Sequence, residues 1–290
     1  MKIIDRTLCV VLMLVASAFS SMRAEAQDVK EKAFDAPNNV KIKVRMEGPY
    51  TAEAPLQIVC YFRYTPDGAM RMTGAPVELD KKLGGVIASL RERGEFVGDE
   101  LETLWITPPK GSIKAKALLL VGLGKEEALS LKVMERVGRV SLREAAKAGV
   151  KRVAFAPLIR DQGNSKLPIG DVEIAVVQAM LLVYDTEKRL QKEGLAKPFT
   201  LDEWIVEAGH AYFDETAAAA EKAIQQATAA LKDRSAKPYL RNQGTPKGET
   251  KVIPDHDQHK AAGTCRSHSH SLALHYSSDF LLLCAPFPSF

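Results

Sequence analysis

Apolar and polar residues alternate strictly from Val40 to Met46 (VKIKVRM), a pattern that predicts a half-buried strand. Leu56 to Phe62 reads instead as a continuous apolar run, which predicts a central strand covered on both faces. Pro66-Asp67-Gly68 marks a turn. Leu79 to Arg93 has helical spacing, weakened by Gly84-Gly85, and Leu101 to Thr107 is a strand closed by Pro108-Pro109. Ala117 to Val121 (ALLLV) is a buried strand that runs into Gly122-Leu123-Gly124. Ser130 is placed to cap a helix through Ala148, with Leu131, Met134, Val137, Leu142 and Ala145 as its apolar stripe and Gly149 at its C-terminal stop. Arg152 to Ala156 (RVAFA) follows as another strand. Strand, helix and strand with short connections predict a right-handed βαβ unit and a parallel pair in a covered sheet.

Beyond a polar loop, Arg160 to Ile169, Asp171 is placed to cap a helix with Ile174, Val177, Leu181 and Tyr184 on its buried stripe and Gly194 at its end. Phe199 to Ala208 carries two signals. Thr200 and Glu203 have capping-box spacing, while the aromatic and β-branched run Trp204-Ile205-Val206 predicts a strand. Tyr212 to Arg234 is alanine-rich and predicts a strong helix.

The two ends differ from this body. Lys2 and Arg6 precede an apolar run, Leu8 to Phe19, and Ala24-Glu25-Ala26 supplies small residues for cleavage before Gln27. This predicts a secretory signal peptide over residues 1–26, an exported (periplasmic or extracellular) protein, and no stable membrane insertion after cleavage. Residues 27–39 read as a polar N-terminal arm, and residues 40–236 as the folded domain. From Lys237 onward periodicity stops, and residues 237–290 read as a disordered or aberrant tail, the composition fitting an out-of-frame or truncated continuation of a longer gene. Five of the six histidines fall there. The full chain of 290 residues has 40 basic and 36 acidic residues, and no basic stripe interleaved with aromatics points to nucleic acid. Cys60, inside an apolar run, reads as a buried thiol rather than part of a disulfide framework.

Leu118 to Lys125 (LLLVGLGK), Gly138 to Pro157 (GRVSLREAAKAGVKRVAFAP) and Val176 to Lys192 (VVQAMLLVYDTEKRLQK) together resemble the N-terminal domain of the leucyl, or cytosol, aminopeptidase family. The resemblance covers roughly residues 40–234 and rests on the order of elements. It implies a three-layer, macro-domain-like α/β fold, a mixed sheet flanked by helices. It also implies a role in assembly, with a homo-oligomer or a catalytic peptidase subunit as partner. In that family a separate catalytic domain uses two divalent metals to activate water and clamp the carbonyl oxygen. Its NTDAEGR-type motif and the preceding lysine- and aspartate-bearing segment do not occur in this sequence. No catalytic residue, metal ligand or cofactor is therefore assigned to this chain, and hydrolysis by it alone is not expected.

The remaining candidates for ligand binding are Gly122, Gly124, Lys125 and Arg160. Glycines between a strand and a helix expose backbone N–H groups to an anion. Here, however, the third glycine of a dinucleotide fingerprint and the ending of a P-loop are missing, and a tight turn that needs small residues explains the pair better. Arg160, with Asp161 and Lys166, lies in the loop after a strand, where α/β folds bind ligands, so this loop and the glycine turn are expected to edge one crevice. The blander reading is a solvated charged loop. His256, His259, Cys265, His268, His270, His275 and Cys284 match no zinc-finger spacing. His210 reads as a surface or capping residue. The leading functional expectation is a non-catalytic exported domain. The alternatives are part of a metal-dependent aminopeptidase and a small-ligand, nucleotide-like binding module.

Overall fold

The computed structural model describes residues 29–239. The predicted signal peptide and nearly all of the predicted tail, with its histidines and its two cysteines, lie outside the described residues. Seven strands form one mixed sheet in the order β1-β2-β7-β6-β3-β5-β4. These are β1 (Glu31–Ala36), β2 (Val40–Arg45), β3 (Leu56–Tyr61), β4 (Thr103–Ile106), β5 (Ala117–Gly122), β6 (Arg152–Ala156) and β7 (Glu203–Glu207). The five inner strands are parallel, and β1 and β4 close the two edges as antiparallel strands.

The apolar pattern of each strand decides what covers it. Leu56, Ile58 and Cys60 of β3 and Leu119 and Val121 of β5 point to one face, where they pack with α4 (Leu131–Ala148), α5 (Ile169–Lys192) and α6 (Phe213–Lys232). Val59, Tyr61, Leu118 and Leu120 point to the other face and meet Leu79 and Ile87 of two short helices, α2 (Ala75–Lys82) and α3 (Val86–Glu92), and Leu83 between them. Both faces of these strands are therefore apolar, as a central parallel strand requires. Helix α5 lies between α4 and α6 and is buried over most of its circumference, with Val176, Val177, Met180, Leu181 and Tyr184 all inaccessible. Trp204 of β7 is fully buried and stacks on Phe155 of β6 at 5.7 Å between ring centroids.

Several expectations change. The polar arm is not a lead-in: Glu31–Ala36 pairs with β2 along its whole length, and Pro37–Asn39 is the 3-10 turn between them. A polar strand is stable there because an edge strand needs one paired neighbour and only modest burial. Pro66-Asp67-Gly68 opens a helix, α1 (Pro66–Arg71), because the Thr65 hydroxyl accepts the Gly68 N–H at 3.0 Å and proline suits a first helical turn. The single helix expected over Leu79 to Arg93 is two, since Gly84 and Gly85 both adopt positive φ (72° and 82°), a conformation that ends one helix and turns the chain before the next. β5 and β6 are parallel but not adjacent, because β3 fits between them. Asp171 lies inside the first turn of α5, which starts two residues earlier behind Pro168, and Leu131 is exposed at the very start of α4. Ser130, Gly149 and the strand over Trp204-Ile205-Val206 are as the sequence predicts.

No helix among the described residues is long and apolar enough to cross a membrane.

Candidate functional site: a cleft at the carboxyl ends of the parallel strands

Parallel strands bring their carboxyl ends to one side of the sheet, and the loops that leave β2, β6 and β7 there enclose a cleft of about 410 Å³. Met46 to Pro49 leave β2, Pro157 to Asp161 leave β6, and Ala208 to His210 leave β7. The amino end of α5 contributes Ile169, Val172 and Glu173. Most of the wall is aliphatic, and acidic side chains interrupt it at Glu47, Asp161, Glu173 and Glu207.

Two of these carboxyls are unusual. Glu173 is 2% exposed, and its Oε2 has no hydrogen-bond partner among the described residues. Burial alone pushes its pKa up to about 8. Glu207 is 8% exposed with neither oxygen in a hydrogen bond of ordinary geometry. Burial holds it well above the usual carboxylate range, with the neighbouring Gln57 amide and Arg45 offsetting part of the shift and Glu47 adding to it. Glu203, four residues earlier on the same strand and face, shows the contrast. Lys43 reaches it at 2.6 Å and Arg152 at 2.8 Å, and its pKa is lowered although burial acts the other way. Glu47 is raised by burial against the pull of Arg45, which pairs with it at 3.1 Å.

Arg160 lines the cleft, but its guanidinium donates to the Asn164 carbonyl at 3.2 Å and the Leu167 carbonyl at 2.7 Å, so it ties the loop to itself. The next residue but one, Gln162, fastens the loop to the sheet. Its Oε1 accepts the Phe62 N–H at 2.9 Å, and its Nε2 donates to the Cys60 and Leu158 carbonyls, both at 3.0 Å. His210 is exposed in a 3-10 turn (His210–Tyr212) ahead of α6, on the cleft rim.

The glycine turn lies elsewhere. The N–H groups of Gly122, Leu123 and Gly124 donate to the carbonyls of Glu102, Tyr61 and Gly98 at 2.8, 2.8 and 3.0 Å. These three donors are thus spent within the chain. A Cβ on Gly122 would fall on the Asp99 carbonyl oxygen, with the Gly98 and Asp99 carbonyl carbons at 2.7 and 2.9 Å. Lys125 is exposed and edges a second hollow with Arg63, Arg71 and Arg91. The turn Arg160–Gln162 gives Arg160 and Asp161 to the first cleft and Gln162 to the second, so Lys125 and Arg160 do not share a crevice. Cys60 is a buried free thiol, its pKa raised by burial.

The sequence reading missed Glu173 and Glu207. A signal existed for Glu173, which falls on the same helical stripe as Val176, Val177 and Met180. Glu207 shares the face of Ile205 by the two-residue period of a strand.

Fold and cleft define a three-layer α/β unit with its hollow at the carboxyl ends of a parallel sheet. Residues 58–192 match the family described as "Cytosol aminopeptidase family, N-terminal domain". A "Probable cytosol aminopeptidase" of Alkaliphilus metalliredigens is 37% identical over 79 residues, which are 27% of this chain and 16% of that protein. One of Nostoc punctiforme is 34% identical over 115 residues, 39% of this chain and 23% of that protein. The matches thus span between about a sixth and a quarter of the length of these curated relatives. Among solved structures, a tomato leucine aminopeptidase mutant aligns with a TM-score of 0.49 at 16% identity, over 70% of this chain and 39% of that one. A macrodomain mutant of Oceanobacillus iheyensis aligns with a TM-score of 0.49 at 8% identity, over 70% of this chain and 98% of that one. Among the described residues, no group of three His, Cys, Asp or Glu is arranged to hold a metal ion.

Proposed function

We propose that this chain is an exported protein whose α/β unit works in assembly or protein interaction and does not itself hydrolyse peptides. The observation that carries the reading is the match of residues 58–192 to the N-terminal domain of the aminopeptidase family, the part to which the resemblance assigns assembly rather than chemistry. Export is supported by the basic residues Lys2 and Arg6, the apolar run Leu8 to Phe19 and the Ala24-Glu25-Ala26 site. The named relatives are aminopeptidases whose greater length lies beyond the aligned region, which favours a second reading: a part of, or partner to, a catalytic peptidase subunit.

Expression of the full chain in a secreting host tests the proposal. N-terminal sequencing of the product is expected to begin at Gln27, and light scattering is expected to give the mass of two or more copies. A product that keeps residues 1–26 would overturn export. A single-copy mass at every concentration, unchanged by a co-expressed aminopeptidase catalytic domain, would overturn the assembly role.

A further inference from the structure

The second hollow, of about 530 Å³, opens where the chain leaves β3 and β5, on the carboxyl side of the parallel strands. Arg91 of α3 lines it and is 4% exposed; among the described residues it is the one buried basic side chain. Its Nη2 donates to the Phe62 carbonyl at 2.9 Å and its Nη1 to the Met72 sulfur at 3.5 Å, while its Nε has no hydrogen-bond partner among the described residues. The guanidinium carbon lies 4.8 Å from the Tyr61 ring centroid and 5.5 Å from that of Tyr64. Those ring faces attract the cation but carry no net charge. Among the described residues no carboxylate forms an ion pair with it. Asp80 on α2, the carboxylate whose field reaches Arg91, spends its Oδ1 on the Ile87 and Ala88 N–H groups at 2.7 and 3.3 Å. Glu126 is held by Arg71 at 2.6 Å, and Asp67 and Glu127 are exposed at the edge of the hollow. A guanidinium cannot shed its proton to escape burial, as a lysine or histidine can. A buried cation without a counter-charge is costly, so a chain that keeps one beside an open hollow calls for an anion.

We propose that this hollow binds a small organic carboxylate, its carboxyl group on the Arg91 guanidinium and beside the Tyr64 ring. A carboxylate suits the flat guanidinium fork, whose parallel N–H groups match its pair of oxygens. Charge decides against phosphate. Arg63, Arg71, Arg91 and Lys125 line the hollow with Asp67, Glu126 and Glu127, so one added negative charge brings the lining to balance. Phosphate carries more than one charge at neutral pH and would overshoot it. The volume lies in the size range of small-molecule sites. Free organic acids and the carboxyl terminus of a peptide share this chemistry. The inference does not rest on the assembly role, since residues of one copy of the chain form the whole hollow.

Isothermal titration of the full chain at about pH 7, where carboxylic acids are ionised, tests it. The probes are benzoate and N-acetylphenylalanylalanine, with benzamide as the neutral control and inorganic phosphate as the competing anion. Both carboxylates are expected to bind at least ~10-fold more tightly than benzamide, the scale of one charge-assisted hydrogen bond. Tighter binding of the acetylated dipeptide would assign the site to peptide carboxyl termini, and tighter binding of benzoate to free organic acids. Arg91→Met, which keeps most of the stem and removes the charge, is expected to lose at least ~10-fold affinity for both carboxylates. Its circular dichroism and cooperative melting report whether the fold is intact. Equal affinity for benzoate and benzamide, tighter binding of phosphate than of either carboxylate, or wild-type affinity in folded Arg91→Met would each overturn the proposal. So would an absence of carboxylate binding at about 10 mM, a mM ceiling being the weakest affinity of interest. If Arg91→Met fails to fold, Tyr64→Glu is read against Tyr64→Gln, since a carboxyl placed beside Arg91 competes with the ligand. A loss of at least ~10-fold in Tyr64→Glu relative to Tyr64→Gln is then expected, and equal affinity in the two variants counts against the proposal.

Discussion

Gly122→Ala is expected to destabilise the chain by about 3 kcal/mol or more, a fall in melting temperature on the order of 6–12 °C for a unit of this size. The new methyl group would fall on the Asp99 carbonyl oxygen and press on the carbonyl carbons of Gly98 and Asp99. These are backbone atoms, and they cannot swing aside as a side chain would. The segment is also pinned, because the Gly124 N–H donates to the Gly98 carbonyl and the Gly122 N–H to the Glu102 carbonyl. Relief would break those bonds at the point where β5 passes into its turn. Lys125→Ala, three residues on and exposed, is expected to change stability by less than about 0.5 kcal/mol. Thermal or urea unfolding of the two variants checks the pair. A Gly122→Ala chain within about 1 kcal/mol of wild type would show that the turn is not held by close packing.

Glu173→Gln is expected to act in the opposite direction, and only as pH rises. The carboxyl has a pKa of about 8 when folded against an ordinary value of 4.5, so folding favours its protonated form. Below about pH 4.5 the group is protonated in both states and costs nothing. As pH climbs toward 8 the unfolded chain gains the charge freely while the folded chain resists it, and stability is lost. By linkage the loss reaches about 3 kcal/mol at pH 7 and increases further until the folded group ionises. Glutamine cannot ionise, so the variant should escape this loss. Its advantage in melting temperature should be small at pH 5 and grow steadily to pH 8. A constant difference across that range, or one that shrinks, would contradict the burial of this group. Glu207 and Glu47 are shifted the same way, so a residual decline with pH is expected in the variant too.

These two residues also show what the sequence made legible. The strand and helix spans of β3, β5, α4 and β6 follow from apolar runs and from Ser130 and Gly149 as caps, since such signals are local. Strand order is not local: nothing in the segment from Ala117 to Ala156 says that β3 will lie between its two strands, because that is decided by which faces remain to be covered. The polar edge strand Glu31–Ala36 was equally hidden, for its stability comes from pairing with β2 and not from its own pattern. At the candidate site, Gly122 and Gly124 stand out in sequence because glycine is rare in apolar strands, yet the structure uses their N–H groups within the chain. Arg160 does reach the cleft, but it points its donors at its own loop. Glu173 and Glu207 read as ordinary charges until burial is known, although their periodicity already placed each on an apolar face.

We propose that this α/β unit, similar over residues 58–192 to the aminopeptidase N-terminal domain, does not itself hydrolyse peptides. The most direct test is an assay of the purified full chain on leucine p-nitroanilide with manganese or zinc. Release of nitroaniline is expected to be no faster than in buffer with the same metal. Turnover that scales with protein concentration and disappears with a chelator would contradict it.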